Sequence, residues 1–393
     1  METKQKFHKI EYHPGLTLGI VGGGQLGRMM IFEAKKLGLH VVTLDPKPNA
    51  PAGQVADGQI QAPFDDVKAY RELGEVCDLV TYEFEHISVE GLRAIEEIGT
   101  PVRPNSTTLE KIQHKGKQKT HLKDYGIHVP GFQLARNMHE VEKAMQYLDY
   151  PVMAKTCRGG YDGKGNILLQ SEQDFKQLKS YFDRSGEWML EEYMPFEKEV
   201  SVMAALNTWG EKVIYPLGEN THKDEILRAT KVPASVEDSI QEKARQMGSD
   251  ILDLFNEPGI YGIEMFLLPE GSLTVNEIAP RVHNSGHYTM EACNICQFAT
   301  HLRCILGLPL IEPLLEKPVW MINLLGTSTG ELPVKDIQGY ESLFREAGVY
   351  LHLYGKAEIR PQRKMGHINI TGKNQAQIEE KLRRIYLETE EVF

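Results

Sequence analysis

Residues 16–45 restrict the fold more than any other stretch. An apolar run over 16–22 enters Gly22-Gly23-Gly24-Gln25-Leu26-Gly27. Apolar positions then repeat at helical spacing over 26–37 and stop at Gly38, and a β-branched run fills 40–45. Strand, glycine turn, helix and second strand describe a crossover unit, which returns the chain to the same end of the sheet and so builds parallel pairs. A third run at 77–85 and a helical pattern at 88–98 prolong the alternation until Pro101 and Pro104 interrupt it. Residues 1–110 are therefore expected to form a Rossmann-like, doubly wound parallel sheet.

The texture then changes. One basic, polar helix is expected over 106–125. Strand patterns follow at 151–156, 166–170, 188–193, 199–207 and 212–217 with few helices between them, which favours antiparallel pairing. A helix is expected over 236–255, and strands at 260–268 and 272–278 flank the hairpin signal Pro269-Glu270-Gly271. A helix over 288–306, three short strands and a terminal helix complete the chain. The expected class is α/β joined to α+β, divided at 1–110, 111–200, 201–305 and 306–393.

With 393 residues, 41% hydrophobic and 25% charged, the chain can bury several cores, which excludes a disordered or fibrous protein. A formal net charge of −11 argues against wrapping nucleic acid but leaves room for anionic small substrates held by a few local cations. No window approaches about 18 consecutive apolar residues, and residues 1–14 are polar, so neither a membrane span nor a secretory leader is expected. Five cysteines, an odd number, do not make a disulfide framework and point to a reducing cytoplasm.

The turn Gly22–Gly27, with Asp45 closing the next strand, matches the dinucleotide fingerprint, in which N–H groups at a helix N-terminus meet a phosphate. The same turn suits a phosphate of another ligand, or no ligand at all. A second glycine loop is more specific. Lys155-Thr156-Cys157-Arg158-Gly159-Gly160-Tyr161-Asp162-Gly163-Lys164-Gly165-Asn166 joins two strands. Its glycines let N–H groups turn toward an anion, and Lys155, Arg158 and Lys164 add positive charge. It lacks Gly-Lys-Ser/Thr and leads into a strand, so it is not a P-loop; strand–loop–strand over polyphosphate is what a nucleotide lid requires.

Downstream, Glu191-Glu192-Tyr193-Met194 closes a strand whose edge can offer backbone groups to an adenine, and Glu199 can accept from ribose hydroxyls. Glu264 and Glu277 lie on the two strands of the expected hairpin, where paired carboxylates suit Mg²⁺ bridging phosphates. Glu264 is embedded in Tyr261-Gly262-Ile263-Glu264-Met265-Phe266, a largely apolar strand in which an unpaired charge is costly. Just after the hairpin, Arg281, His283 and Asn284 bring a guanidinium, an imidazole and an amide together, a set able to hold a small planar anion such as bicarbonate or formate.

Together these residues resemble the ATP-grasp ligases and, among them, the 5-(carboxyamino)imidazole ribonucleotide synthase family of purine biosynthesis. The resemblance covers essentially the whole chain. Its motifs are Gly23-Gly24-Gln25-Leu26-Gly27-Arg28-Met29, Thr81-Tyr82-Glu83-Phe84-Glu85, Gly159-Gly160-Tyr161-Asp162-Gly163-Lys164-Gly165, Asn276-Glu277-Ile278-Ala279-Pro280-Arg281, His283-Asn284-Ser285-Gly286-His287 and Lys364-Met365-Gly366-His367. It implies an ATP-grasp fold: a Rossmann-like domain over 1–110, a linker helix and lid over 111–200, a catalytic core over 201–305, and a small domain over 306–393 that completes the substrate site. It also implies ATP-dependent carboxylation of 5-aminoimidazole ribonucleotide by bicarbonate through carboxyphosphate, with release of ADP and phosphate.

By the same resemblance, ATP meets Lys115, Lys155, Gly160, Tyr161, Asp162, Gly163, Lys164, Gly165, Asn166, Glu191, Glu192, Tyr193, Met194, Glu199, His222, Asn276 and Glu277. Mg²⁺, with Mn²⁺ as a substitute, sits on Glu264 and Glu277. Arg281, His283 and Asn284 serve the carboxylation, and Asp162 orients the amine or takes its proton. The ribonucleotide meets Gln25, Leu26, Glu85 or Glu83, Tyr161, Lys356, Arg363 and Lys364, so the N-terminal glycine turn becomes a phosphate cradle rather than a dinucleotide site. Many relatives carry Arg where Lys115 stands; Lys keeps the charge but not the bidentate fork. The implied partners are small molecules and a second copy of the chain, not nucleic acid or membrane. A formate-dependent glycinamide ribonucleotide transformylase, a dinucleotide-binding protein and a catalytically silent nucleotide sensor are the rival readings.

Cys293-Asn294-Ile295-Cys296 spells C-x-x-C. On one face of the expected 288–306 helix with Cys304, these cysteines are expected to pack in the core rather than hold a metal. Residues 371–393 read as an amphipathic helix with a solvated face.

Overall fold

The computed structural model describes residue 7 and residues 10–160, 165–174, 186–326, 330–331 and 340–388. Its first sheet is parallel: β1 (Thr17–Val21), β2 (His40–Leu44), β3 (Gly58–Ile60) and β4 (Leu79–Tyr82) in the order β3-β2-β1-β4. β1 and β4 are almost wholly buried, as strands covered on both faces must be. The helices Gln25–Lys36 and Val89–Glu97 match the sequence pattern. β3 and the helix Val67–Val76 were not expected. β3 is only three residues long, and small Ala69 and Gly74 help make up the helix's buried face.

The single helix expected over 106–125 is two, Ser106–Gln113 and Lys115–Asp124. They break at His114, whose backbone is extended and whose Nδ1 accepts from Lys117 N–H to cap the second helix. The 288–306 helix is likewise Thr289–Ala292 and Gln297–Leu306. Cys293 is extended there and bridges to Leu315, and Cys296 caps the second helix, so neither shares a helix face with Cys304. All five cysteines are free, and Cys293 and Cys304 belong to the core.

The lid sheet is antiparallel: β5 (Phe132–Ala135), β6 (Val152–Thr156), β7 (Asn166–Leu169) and β8 (Trp188–Glu192) in the order β5-β8-β6-β7. It has its own small core, centred on Trp188, Val152 and Leu190.

The largest sheet uses β9 (Lys198–Leu206), β10 (Lys212–Ile214), β11 (Gly218–Lys223), β12 (Ile226–Val232), β13 (Gly259–Leu267), β14 (Leu273–Ala279) and β15 (Val319–Leu325). After β15 come β16 (Gly330–Glu331), β17 (Val349–Leu353), β18 (Glu358–Ile359) and β19 (Lys364–Thr371). The order is β14-β13-β9-β11-β12-β15-β19-β17, with β10 on β9 and β16 paired separately with β18. β11 and β12 escaped the sequence reading; in β11, polar Glu219, Asn220, Thr221 and Lys223 dilute the strand pattern. The C-terminal stretch has five described strands rather than three, and β15 pairs with β12, so residues beyond 306 extend the central sheet. The helix Asp238–Phe255 packs Ala244, Ile251 and Leu252 into the core shared with Val202 and Val275. Among the described residues, no helix is long and apolar enough to cross a membrane.

Candidate active site

β13 and β14 pair antiparallel with Glu264 opposite Glu277. The register then shifts, Met265 pairing with Val275, which leaves Asn276 as the extra residue of a β-bulge. A bulge sets two consecutive residues against one on the partner strand and re-aims their side chains. Glu277 Oε2 accepts from Lys115 Nζ at 2.8 Å, and Asn276 Oδ1 accepts from Lys155 Nζ at 3.3 Å. Carboxylates placed directly opposite repel. Burial, aided by the carboxylates of Glu277 and Glu199, holds the Glu264 carboxyl above its ordinary range, and His222 only partly offsets this. Burial also pushes Glu277 up, but Lys115 outweighs it and leaves this carboxyl below its ordinary range. A strained acidic pair with oxygen donors suits a hard divalent cation.

Lys155, on β6, is anchored from behind. Its Nζ lies 2.5 Å from Glu191 Oε2, while Glu191 Oε1 meets Lys119 Nζ at 2.7 Å. Lys119 also donates to Val275 O at 2.8 Å. Lys119 and Glu191 are both about 2% exposed. Burial pushes Glu191 up, yet the two lysines hold it down at about 2; burial pulls Lys119 down to about 8. Sequence reasoning missed Lys119. Its signal was its place on the buried face of its helix, beside Gln118 and Leu122.

One expectation is corrected here. β8 is not an edge: Glu191 is matched to Phe132 on one side and Met153 on the other, so its main chain is spent in the sheet. Glu192 points to the other face, toward Gly131 N–H at 3.2 Å. Tyr193 follows the last β8 pair, and its N–H donates to Pro151 O at 3.3 Å. Glu199 on β9 pairs with His222 on β11, and this carboxylate raises His222 against the effect of burial.

The lid loop leaves β6 through Gly160 and returns at Gly165. Gly165 has φ +94°, and a Cβ there would fall 2.5 Å from Thr156 Oγ1, so only glycine fits. Asn166 donates to Glu225 Oε2 at 3.2 Å, joining the lid to the β11–β12 hairpin. Tyr161, Asp162, Gly163 and Lys164 lie outside the described residues.

Arg281 lies half-buried beside Glu85, with Nε to Oε2 at 2.5 Å, and its Nη1 donates to Val282 O at 2.9 Å. Burial pushes the Glu85 carboxyl up, but the guanidinium holds it down at about 2. Burial, with the charges of Arg281 and Lys364, pulls His283 down to about 3. Its Nδ1 faces Ser285 at 2.9 Å, and its Nε2 lies 3.8 Å from Glu264. Asn284 forms a reciprocal amide pair with Asn323, at 3.0 and 2.7 Å.

The N-terminal turn departs from the phosphate-cradle expectation. Gly24 and Gly27 N–H groups donate to the Glu83 carboxylate at 2.5 and 2.8 Å, and Gly23 N–H donates to Asp45 at 2.8 Å. A Cβ on Gly24 would sit 2.5 Å from Glu83 Oε1. Internal carboxylates thus fill the places a pyrophosphate would take. The N–H groups of Gln25 and Leu26, first in their helix, have no intrahelical acceptor. The C-terminal strands reach this region, since Gln54 Nε2 donates to Gly355 O at 2.8 Å. Next to it, Lys356 Nζ donates to Lys364 O at 2.6 Å, and Arg363 Nη1 donates to Glu358 O at 2.7 Å.

Comparison with known proteins agrees with this architecture. The ribonucleotide synthetase preATP-grasp domain model matches residues 16–113, the ATP-grasp domain model 120–298, and the phosphoribosylaminoimidazole carboxylase C-terminal domain model 319–381. The N5-carboxyaminoimidazole ribonucleotide synthase of Bacillus subtilis (strain 168) is 40% identical over 356 residues, 91% of each chain. An ADP complex of an N5-carboxyaminoimidazole ribonucleotide synthetase superposes with TM-score 0.90 at 40% identity, over 97% of this chain and 98% of that one. The Aspergillus clavatus synthase, solved with ADP and 5-aminoimidazole ribonucleotide, gives TM-score 0.86 at 32% identity, over 96% and 99%. With matching domain models and full-length relatives at this identity, the chain belongs to the N5-carboxyaminoimidazole ribonucleotide synthase family.

Proposed function

We propose that this protein is an ATP-dependent ligase that carboxylates 5-aminoimidazole ribonucleotide with bicarbonate, giving N5-carboxyaminoimidazole ribonucleotide, ADP and phosphate in purine biosynthesis. The observation that carries the reading is the bulged hairpin. It sets Glu264 against Glu277, ties Glu277 to Lys115 and Asn276 to Lys155, and continues within a few residues to Arg281, His283 and Asn284. Full-length relatives whose names state this activity support it.

Lys155 and Lys115 offset charge on the phosphoryl group as it transfers. Glu264 and Glu277 are the residues to hold Mg²⁺, which supplies charge neutralisation on the phosphates. Arg281, with Nε on Glu85 and Nη1 on Val282 O, keeps the rest of its fork for bicarbonate and orients it for in-line attack. His283 stays neutral at physiological pH and donates a hydrogen bond without adding charge. Carboxyphosphate hydrolyses readily, so the lid must exclude water during its lifetime. On the substrate side, Gln25, Leu26, Lys356, Arg363 and Lys364 receive the ribonucleotide, and the reading assigns Tyr161 and Asp162 to the same substrate. Tyr193, Met194, Glu199 and His222 receive the adenosine. The reading includes the four-part domain division of the sequence analysis, a homodimer, and a reducing cytoplasm that fits five unpaired cysteines.

The test is ADP release with ATP and the ribonucleotide, with and without bicarbonate. Turnover that ignores bicarbonate removal refutes the proposal. Formate-dependent turnover of glycinamide ribonucleotide supports the transformylase instead.

A further inference from the structure

At the root of the lid, one residue along the chain from Lys115, three side chains of unlike chemistry converge. His114 sits in the break between two helices, Cys157 follows β6 by one residue, and Glu187 precedes β8 by one. An imidazole nitrogen, the thiol sulfur and a carboxylate oxygen all lie within 4.8 Å of one another. His114 Nε2 is 2.8 Å from Glu187 Oε2, and the other Glu187 oxygen accepts from Arg136 Nε at 3.2 Å. His114 and Cys157 are buried. Main-chain bonds fix the trio: Cys157 N–H donates to Glu187 O at 2.9 Å, and Lys115 N–H donates to Cys157 O at 2.9 Å.

We infer that His114, Cys157 and Glu187 form a binding site for a thiophilic divalent cation, Zn²⁺ by chemical class, with water as the fourth ligand. A thiolate, an imidazole and a carboxylate are zinc donors; they are poor Mg²⁺ donors, which separates this site chemically from Glu264 and Glu277. Tetrahedral zinc, with Zn–N and Zn–O of about 2.0 Å and Zn–S of about 2.3 Å, needs ligand atoms roughly 3.3–3.5 Å apart, between the 2.8 Å contact and the 4.8 Å outer bound of the trio.

The thiolate and carboxylate together cancel the ion's charge, so the buried complex is neutral. On binding, Zn–S, Zn–N and Zn–O bonds form and the Cys157 proton leaves to solvent. The imidazole proton moves from Nε2 to Nδ1, which gives up the capping contact with Lys117 N–H. Cys157 also lines a small cavity with Glu85, Lys115, Gly160 and Glu277. Occupancy ties β6, β8 and the helix that carries Lys115 into one unit at the lid's root.

The experiment titrates Zn²⁺ into the chelator-treated full chain against a chromogenic competitor, and Co²⁺ in parallel by absorption. The expected result is one tight equivalent, with affinity lowered at least about 100-fold by Cys157→Ser and by His114→Asn, which keeps a capping oxygen. Co²⁺ should give a thiolate-to-metal charge-transfer band that Cys157→Ser abolishes. The paired Cys293→Ser, Cys296→Ser variant should bind as the unmodified chain does. Binding that survives both site variants, binding lost in the Cys293/Cys296 variant, or no binding at all overturns the inference. Circular dichroism checks each fold; should His114→Asn not fold, Cys157→Ser and the Co²⁺ spectrum decide the matter.

Discussion

Lys119→Ala removes one of the two ammonium groups that hold the buried Glu191 carboxylate. The two lysines hold that carboxyl well below its ordinary range against the opposing effect of burial. Burial also pulls Lys119 down, since desolvating both charges offsets their attraction. Deleting Lys119 leaves the buried Glu191 carboxylate with Lys155 as its remaining ammonium partner and takes the ion pair from Oε1. A broken buried pair costs about 3–5 kcal/mol, which for a domain of this size lowers the melting temperature by roughly 6–20 °C.

The assay is calorimetric unfolding of the single variant and of Lys119→Met combined with Glu191→Gln. Glu191→Gln removes the carboxylate whose Oε1 lost its ion pair and leaves an amide oxygen to accept from Lys155, so the double variant should recover most of the loss, a strongly non-additive result. A loss below about 1 kcal/mol for the single variant, or a double variant as unstable as the single, would falsify the assignment of this pair as a charge anchor behind Lys155.

Glu277→Gln should abolish metal-supported turnover and leave the circular dichroism spectrum unchanged; near-normal activity would show that the cation is held elsewhere. Lys356→Ala should chiefly raise KM for the ribonucleotide, and a rise in KM for ATP instead would mean the C-terminal strands serve the wrong substrate. Burial pulls both His283 and His301 from 6.5 to about 3, so the unfolded chain takes up these protons first as pH falls. Stability should therefore be fully present above about 6.5 and decline from there toward 3. Neither imidazole should titrate by NMR between pH 5 and 8, and a midpoint above 6 for His283 would refute its role as a neutral donor.

The parallel sheet and the β13–β14 hairpin were legible because burial on a face imposes a period that survives in the sequence. The side-chain directions at the site were not, for a physical reason that Asn276 illustrates. Strict alternation along β14 puts Asn276 on the face opposite Glu277. One unpaired residue cancels that alternation and brings both side chains toward lysines, without altering the hydrophobic pattern. Glu83 and Glu85 make the same point past the end of β4. Both stood in one quoted motif with nothing local to tell them apart, yet Glu83 reaches the Gly24 and Gly27 N–H groups while Glu85 reaches Arg281, 196 positions along the chain. A glycine fingerprint states that a backbone can approach an anion closely; which anion arrives is decided by whatever carboxylate the next strand delivers. Here it delivers the protein's own, and the turn that most resembles a dinucleotide site has the amides of Gly23, Gly24 and Gly27 already engaged by Asp45 and Glu83.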